Sequence, residues 1–310
     1  MNQAAHITIA SATAPKTARY VLVTPARNES AFIELTLKAM TGQTLKPLKW
    51  VIVSDGSTDG TDEIVRRYAG TNEWIELVRM PERKERHFAG KVHAFNAGYA
   101  RVQGLDYEII GSLDADMSFD ESYFEFLIGK FGENPKLGVA GTPFSEAGVS
   151  YDYRFTSTEH VSGACQLFRR ECFEKIGGYV PLKAGGIDLV AVISARMKGW
   201  ETRTFVDKVS MHHKKTQSGK HSTLKSTFRS GYHDYLMGGH PVWQIFRSIY
   251  QMAKSPMILG GAALLCGYYW ALLSRAEKPV PNELVAFRRR EQMLRLQRFF
   301  KRPLTVGPAH

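Results

Sequence analysis

Short apolar runs of strand length alternate with segments of helical periodicity through the first two thirds of this 310-residue chain. Such runs occupy residues 20–25, 50–55 and 109–113, and residues 75–78 are predicted to form a further, shorter strand. Such runs are typical of strands buried on both faces. Between the first two runs, Ile33, Leu37 and Met40 recur at the spacing of one helix face. This alternation predicts an α/β fold with a mostly parallel sheet flanked by helices.

Carboxylates directly follow two of the predicted strands. Asp55 ends the second strand, and Asp114 and Asp116 follow the fourth. In parallel sheets a ligand lies beyond the carboxyl ends of the strands, so we expect these acids at one rim. Two carboxylates this close repel each other unless a cation lies between them, and Mg²⁺ or Mn²⁺ with substrate phosphates suits such oxygens. A solvated turn is the alternative interpretation of the Asp-Ala-Asp segment.

The turn after the first strand argues against two classes of enzyme. It lacks the Gly-x-Gly-x-x-Gly pattern of a dinucleotide-binding oxidoreductase. Residues 24–27 (TPAR) are not the Gly-rich basic phosphate loop expected of a sugar nucleotidyltransferase. The three cysteines have no Cys-x-x-Cys spacing, which favours a reducing compartment over a disulfide framework or a zinc site.

The last third of the chain is strongly basic. Residues 201–310 contain 18 Lys and Arg against 6 Asp and Glu, whereas residues 1–200 contain 23 against 24. Such asymmetry indicates a polyanionic partner for this part, either nucleic acid or anionic lipid.

Two segments of this basic third are candidates for membrane contact. Residues 257–273 form an uncharged stretch of 17 residues, at the lower limit for a spanning helix. A shallow or re-entrant contact and a plain buried hairpin are the alternatives. In residues 284–300, aromatic and aliphatic side chains interleave with arginines, which is typical of a helix lying at a membrane interface. A solvated basic helix packed on the rest of the protein would show the same pattern.

The order of the motifs resembles family 2 of the inverting nucleotide-sugar glycosyltransferases, which have the GT-A (Rossmann-like) fold. The matching stretches are residues 23–29 (VTPARNE), 53–61 (VSDGSTDGT), 91–98, 113–116 (LDAD), 185–188 (GGID) and the later His212 and His213. The resemblance therefore covers about residues 20–215. It implies a GT-A catalytic domain over residues 19–220. The small, polar composition of residues 1–18 predicts a flexible tail, and residues 221–310 are predicted to be a basic, aromatic-rich helical region that associates with a membrane.

The resemblance also implies a set of residues that bind the nucleotide. These are Pro25, Arg27, Asn28, Glu29, Asp55, Lys91, Asp114, Ala115 and Asp116. Asp55 would accept a hydrogen bond from the imide N–H of uracil, and Lys91 would meet the phosphates. From the residues alone, Asp55 could instead be a helix N-cap or turn residue, and Lys91 a plain surface lysine.

The metal ligands and the base follow from the same resemblance. Asp116, with Asp114 and one of His212 and His213, would hold Mn²⁺ or Mg²⁺. Adjacent strand residues point to opposite faces, so we expect one histidine at most to reach the metal. The family has a Glu-Asp pair where this chain has Ile187 and Asp188, so Asp188 alone would serve as catalytic base. A helix N-cap is the alternative role for Asp188.

The implied activity is metal-dependent, inverting transfer of a sugar from a nucleoside-diphosphate sugar, with a UDP-sugar as first choice. The acceptor would be a hydroxyl of a glycan or lipid-linked glycan in cell-surface polysaccharide synthesis, at the cytoplasmic face of an anionic membrane. A metal-dependent sugar nucleotidyltransferase and a nucleic-acid-binding protein are the alternatives. We expect no nucleic acid among the partners.

Overall fold

The computed structural model describes residues 18–82, 89–146, 149–150, 157–214, 224–254 and 257–301. Most of the predicted flexible tail, residues 1–17, lies outside these ranges. The strands are β1 (Tyr20–Ala26), β2 (Lys49–Asp55), β3 (Ile75–Met80), β4 (Ile109–Leu113), β5 (Met117–Ser118), β6 (Leu137–Gly141), β7 (Phe144–Glu146), β8 (Val149–Ser150), β9 (Cys165–Arg169), β10 (Glu201–Thr204) and β11 (Ser210–His212).

Ten helices lie in the described ranges. They are α1 (Ile33–Thr41), α2 (Thr61–Ala69), α3 (Ala89–Val102), α4 (Tyr123–Glu133), α5 (Arg170–Lys175), α6 (Ile187–Met197), α7 (Leu224–Leu236), α8 (Pro241–Met252), α9 (Leu259–Leu273) and α10 (Asn282–Lys301). The first six are interspersed with the strands, although α5 and α6 are consecutive, and the last four follow one another without a strand between them. The chain therefore has an α/β part followed by a helical part, as the sequence predicts.

The main sheet has seven strands in the order β10-β6-β9-β4-β1-β2-β3. All of its pairings are parallel except those of β9, which runs antiparallel to both β4 and β6. The predicted mostly parallel α/β sheet is thus confirmed. Because β4, β1 and β2 are adjacent and parallel, their carboxyl ends meet at one rim.

Two strand boundaries differ from the sequence-based prediction. β1 continues one residue past Pro25, which pairs in register with Val53 of β2. A proline is tolerated this close to the end of a strand because few ladder hydrogen bonds remain to be lost. The alternation of residues 202–209 predicts one strand, which is wrong, since β10 ends at Thr204 and a new strand begins at Ser210 in another sheet.

The second sheet is small but brings distant segments together. Its order is β5-β11-β7-β8, and β11 pairs antiparallel with β5 so that His212 lies opposite Met117. The backbone N–H of His213 donates to the carbonyl of Asp116 at 2.9 Å. The segment that follows β4 is therefore paired with a strand almost one hundred residues further along the chain.

The helical part shares a core with the α/β part. Alternate residues of β1 point to opposite faces, with Val21 in one apolar cluster and Leu22 in another. The cluster on the Val21 side also contains Met237, Leu284 and Val285 from the helical part, packed with residues of α6. Among the described residues, no helix combines the length and hydrophobicity needed to cross a bilayer. The helical part is a layer packed on the sheet domain.

Candidate active site

Two loops at the rim of the sheet are held together by hydrogen bonds. The amide of Asn28 donates to the hydroxyl of Ser57 at 3.1 Å, and the amide of Thr58 donates to the side-chain oxygen of Asn28 at 2.9 Å. The amide of Glu29 donates to the hydroxyl of Thr61 at 2.9 Å. Asn28 has a positive φ of 54°, a conformation that asparagine tolerates better than most residues. Asn28 thus shapes the rim by joining the two loops.

A cavity of about 550 Å³ opens at the carboxyl ends of β1, β2 and β4, and we call it the strand-end cavity. It is lined by Pro25, Ala26, Arg27, Glu29, Asp55, Gly90, Lys91, Ala94, Asp114, Ala115, Asp116 and Lys183. Eight of the nine predicted nucleotide-binding residues lie in this lining. The exception is Asn28, whose side chain is engaged with the neighbouring loop.

Two charged groups that line the strand-end cavity pair with each other, and a third pairs with a residue outside the lining. Arg27 Nη1 lies 3.7 Å from Asp55 Oδ2, and Lys214 Nζ lies 2.5 Å from Glu29 Oε1. Asp55 is buried, with 6% of its surface exposed. The N-cap of α2 is Gly60, so Asp55 does not cap the helix that follows it.

Lys91 and Asp114 form an ion pair at the inner end of this cavity, with Nζ 2.5 Å from Oδ1. Burial alone would lower the pKa of Lys91, but Asp114 raises it, and so do the charges of Asp188 and Asp116. Lys91 is therefore held as a cation among three carboxylates. Lys91 therefore lies between the Asp114–Asp116 segment and Asp188, which are far apart in the chain.

Asp116 is the most perturbed carboxyl group in this region. Burial, followed by the charge of Asp114, raises the pKa of Asp116 to about 6, although the charge of His212 opposes the shift. A buried carboxylate beside a second one costs free energy, which a bound cation would relieve. The Asp-Ala-Asp segment is thus not an ordinary solvated turn.

His212 completes a group of three potential metal ligands. Its Nε2 lies 3.2 Å from Asp116 Oδ2, and donor atoms of Asp114, Asp116 and His212 all lie within 4.8 Å of one another. The Nδ1 of His212 is buried with no hydrogen-bond partner among the described residues. His213 lies outside this group, because its Nε2 is 2.8 Å from the hydroxyl of Ser118. The small sheet therefore brings His212, and not His213, beside the two acids.

A second cavity of about 320 Å³ adjoins the first and contains Asp188, and we call it the Asp188 cavity. Its lining is Lys91, Val92, Phe95, Ser112, Asp114, Phe144, Ser162, Gly163, Ala164, Tyr179, Gly186, Ile187, Asp188 and His212. Lys91 and Asp114 line both cavities. A ligand that fills the strand-end cavity can thus extend past the metal-ligand group towards Asp188.

Two glycines make room for Asp188. A Cβ on Gly163 would lie 2.9 Å from the Cβ and 3.1 Å from the Oδ2 of Asp188, so only glycine allows this approach. Gly186 is the N-cap of α6 and has a φ of 81°, a conformation that favours glycine. Asp188 is the second residue of the helix and is not its N-cap.

Sequence reasoning did not find all of the lining residues. Lys183 lines the strand-end cavity, and Phe95, Phe144 and Tyr179 line the Asp188 cavity. Lys183 lies two residues before the Gly185–Gly186 pair, which is the signal that could have pointed to it. The aromatic side chains come from separate elements, and only the fold brings them together.

The arrangement resembles known glycosyltransferases in its overall fold. A mannosyltransferase from Pyrobaculum calidifontis, solved with GDP-Man and Mn²⁺, superposes with a TM-score of 0.55 and 20% identity over 93% of this chain and 83% of that one. Residues 1–349 of TarS from S. aureus, solved with UDP-GlcNAc, superpose with a TM-score of 0.52 and 12% identity over 87% of this chain and 78% of that one. These likenesses define the fold as the GT-A type.

Sequence comparison identifies the family. The family model described as "Glycosyl transferase family 2" matches residues 21–185, more than half of the 310 residues. The chain therefore belongs to glycosyl transferase family 2. The poly-beta-1,6-N-acetyl-D-glucosamine synthase of Staphylococcus aureus strain COL is 32% identical over 117 residues, 37% of this chain and 26% of that protein. The Staphylococcus epidermidis synthase is 31% identical over the same length, so the match spans about a quarter of these relatives.

Proposed function

We propose that this protein transfers a sugar, with inversion, from a nucleoside-diphosphate sugar to a hydroxyl group of a glycan or lipid-linked glycan in polysaccharide synthesis. The observation that supports this most strongly is the junction of the two cavities. A group of two carboxylates and one imidazole lies there, with one cavity on the nucleotide side and Asp188 in the other. Family membership supports the same reaction class.

The strand-end cavity suits the nucleotide half of the donor. Asp55 is buried at its wall and offers a carboxylate oxygen to a base N–H, which favours a UDP-sugar. Lys91 and Lys183 provide cations for the diphosphate from two sides of the lining. Lys183 is exposed and forms no ion pair among the described residues, so its charge is available to a ligand.

The residues fit a divalent cation. Asp114, Asp116 and His212 would hold Mn²⁺ or Mg²⁺, because carboxylate oxygens and an imidazole nitrogen are within reach of one point. A bound cation would act as a Lewis acid that stabilises negative charge on the departing diphosphate. The raised pKa of Asp116, caused by burial and by Asp114, is the local evidence that a positive charge belongs there.

Asp188 would act as the base in the second cavity. The acceptor hydroxyl loses its proton to an oxygen of the Asp188 carboxylate while the acceptor oxygen bonds to the anomeric carbon. The bond between that carbon and the diphosphate oxygen breaks on the opposite side of the sugar. Attack opposite the leaving group inverts the configuration at the anomeric carbon.

The test is a thermal-shift screen of UDP-, GDP- and dTDP-sugars with Mn²⁺ or Mg²⁺. A ligand at about 100 times its Kd should stabilise the protein by roughly 2.7 kcal/mol. We expect the largest shift with a UDP-sugar plus metal, followed by release of UDP on addition of acceptor. Pyrophosphate release from a nucleoside triphosphate would favour the nucleotidyltransferase alternative. Salt-dependent RNA binding without any response to nucleotide sugars would favour the nucleic-acid alternative.

We also propose that the helical part rests on the anionic cytoplasmic face of a membrane. Val242, Ile245 and Ile249 lie on one face of α8 and are exposed, with Ile249 61% exposed. Further exposed apolar side chains are Met257, Ile258, Leu259, Trp270, Leu273, Phe299 and Phe300. Arg247, Lys254 and Lys301 lie within the same helical part. Apolar groups with nearby cations favour a bilayer that carries negative charge.

Vesicle sedimentation tests this placement. Wild-type protein should bind vesicles of phosphatidylglycerol more tightly than vesicles of phosphatidylcholine, and Ile249→Glu should weaken that binding. The matched control is Leu105→Glu, because Leu105 is also exposed, at 38%, but lies in the α/β part. Equal binding of all three proteins to both kinds of vesicle would contradict the proposal.

A further inference from the structure

The end of helix α7 and the residue that follows it touch the Gly185–Gly186 turn, which precedes Asp188. A Cβ on Gly186 would lie 2.9 Å from the Sδ of Met237, 3.1 Å from the Cε1 of His233 and 3.3 Å from its Nε2. The ring of His233 and the sulfur of Met237 therefore lie against the backbone of Gly186. That glycine is two residues before Asp188 and is the N-cap of α6.

The position of α7 is itself fixed by α8 and α10. Arg288 Nη1 donates to the carbonyl of Met237 at 2.6 Å, and its Nη2 lies 3.7 Å from Asp234 Oδ1. Arg247 of α8 pairs with the other oxygen of Asp234. These contacts are made one and four residues after His233, so α8 and α10 hold the end of α7 that carries its ring.

The helix that carries Asp188 is tied to the same layer. Arg196 near the end of α6 forms a two-pronged ion pair with Glu291 of α10, with Nε and Nη2 2.7 and 2.9 Å from the two carboxylate oxygens. Bidentate pairs of this kind fix orientation as well as distance. The α6 helix is thus held at its first turn by α7 and at its last turn by α10.

We infer that His233 is a positioning residue for the base: with Met237 it holds the Gly185–Gly186 turn so that the Asp188 carboxylate stays against Gly163 in the second cavity. This inference rests on the proposed function, since it gives Asp188 the role of base. It makes the helical layer part of the catalytic apparatus. Neither the family motifs nor the charge pattern of the last third indicates this role.

The chemistry of an imidazole suits this position. Burial lowers the pKa of His233, and the charge of Arg288 adds to that effect, while hydrogen bonds to the backbone of Gly185 and Ala184 and the charge of Asp188 oppose it. A neutral ring still has one N–H to donate to a backbone carbonyl. The ring can therefore hold the turn without placing a cation beside the base.

Substitution of two glycines tests the contact of Gly186 with His233 and Met237. Gly186→Ala adds a methyl group where His233 and Met237 already lie, at a residue with φ of 81°. Gly199→Ala at the other end of α6 imposes the same kind of backbone strain, with φ of 88°, but has nothing within 4 Å of the added Cβ. We expect Gly186→Ala to lower kcat about ten-fold or more relative to Gly199→Ala, because small displacements of a reacting group are costly.

His233→Ala and His233→Gln complete the test. We expect His233→Ala to lower kcat about ten-fold with the donor KM unchanged, and His233→Gln to restore much of it, since the amide can donate to the same carbonyls. Turnover is measured as release of nucleoside diphosphate from the donor that gives the largest thermal shift. A purely structural role would lower the melting temperature and change KM as well.

The outcomes separate the inference from the function on which it rests. Wild-type turnover in both His233 variants, with donor binding intact, would overturn the inference alone. Failure of the wild-type protein to bind or turn over any nucleotide sugar would overturn the proposed function. If His233→Ala does not fold, the Gly186→Ala and His233→Gln proteins still decide the question.

Discussion

The two cavities of this site share two lining residues but differ in what surrounds them. In the strand-end cavity, carboxylates and cations face each other in pairs, as in Arg27 with Asp55 and Lys214 with Glu29. In the Asp188 cavity, the wall is mostly small or aromatic, as in Gly163, Phe95 and Tyr179, and Asp188 is its only carboxylate apart from the shared Asp114. The first suits a charged ligand held by many contacts. The second suits a neutral sugar and a single proton transfer.

The difference indicates that the strand-end cavity serves mainly to bind the donor, whereas the Asp188 cavity serves mainly for the proton transfer. Paired charges orient an anionic ligand, and no single pair dominates its affinity. The effect of the Asp188 carboxylate depends instead on its position, because a base acts only within hydrogen-bond reach of the proton. Substitutions of the nucleotide-binding groups in the first cavity, other than the metal ligands, should therefore act mainly on donor KM, and substitution of Asp188 in the second should act mainly on kcat.

The largest expected effect is that of Asp188→Asn. The amide keeps the shape of the side chain but cannot accept the proton, so kcat should fall by about 10²-fold or more. Donor binding, measured by calorimetry with the nucleotide and Mn²⁺, should be unchanged. Asp207→Asn is the control, since Asp207 is exposed and lines neither cavity. Turnover near that of the wild type would remove Asp188 from the mechanism.

Asp116→Asn should affect activity and stability in opposite directions. Loss of one carboxylate ligand should lower metal-dependent turnover by about 10²-fold. In the metal-free protein the folded state raises the pKa of Asp116 from 3.8 to about 6, through burial and the charge of Asp114. An acid with a raised pKa favours folding below about pH 4 and loses that contribution as pH rises through 6.

At pH 7, therefore, the ionised Asp116 destabilises the metal-free fold, and Asp116→Asn should stabilise it by about 1–3 kcal/mol. Thermal unfolding in chelator at pH 5 and pH 7 checks this, because the gain should be smaller at the lower pH. A variant that is less stable than the wild type at pH 7 would contradict the interpretation that ionised Asp116 destabilises the metal-free protein.

Lys91→Met tests the residue that the cavities share. Removal of its charge should raise donor KM about ten-fold, since a charge-assisted contact to phosphate is lost. A smaller decrease in kcat should accompany it, because Lys91 also lines the Asp188 cavity. Lys49→Met is matched in burial and also breaks an ion pair, with Glu76 at 3.2 Å, but lies at the start of β2 away from both cavities. Equal KM values for the two variants would contradict a role for Lys91 in donor binding.

The smallest effect is expected of Asn28→Ala. The variant loses the hydrogen bond to the amide of Thr58 and strains a residue with φ of 54°, together about 1–2 kcal/mol. We expect a few-fold increase in donor KM with kcat unchanged. Asn28→Gly separates the two causes, because glycine relieves the strain without restoring the hydrogen bond. Asn134→Ala, which removes a loop-forming amide at the end of α4, should have no effect on KM.

Most of the α/β part follows from local pattern. The run over residues 109–113 coincides with β4, and the periodic residues after the first strand form α1. A strand buried on both faces gives a continuous apolar run, whereas a helix buried on one face gives apolar residues three or four positions apart. The acids Asp55, Asp114 and Asp116 could be placed at one rim because parallel strands end on the same side.

The helical part was harder to interpret from sequence. Residues 284–300 were expected to lie at a membrane interface or to pack as a basic helix, and α10 contributes Leu284 and Val285 to the core. Arg288 is buried and holds the carbonyl of Met237. A buried arginine and an exposed one have the same local pattern, because the difference depends on what packs against the helix.

The alternation of strands and helices, the position of the acids at the strand ends and the family membership can all be predicted from the chain alone. Each depends on short-range spacing or on residue identity. The tertiary structure decided which histidine joins Asp114 and Asp116, through the pairing of β11 with β5. The same level of structure places His233 against the Gly185–Gly186 turn before Asp188. Both are contacts between segments far apart in the chain, and no local pattern encodes the distance between such segments.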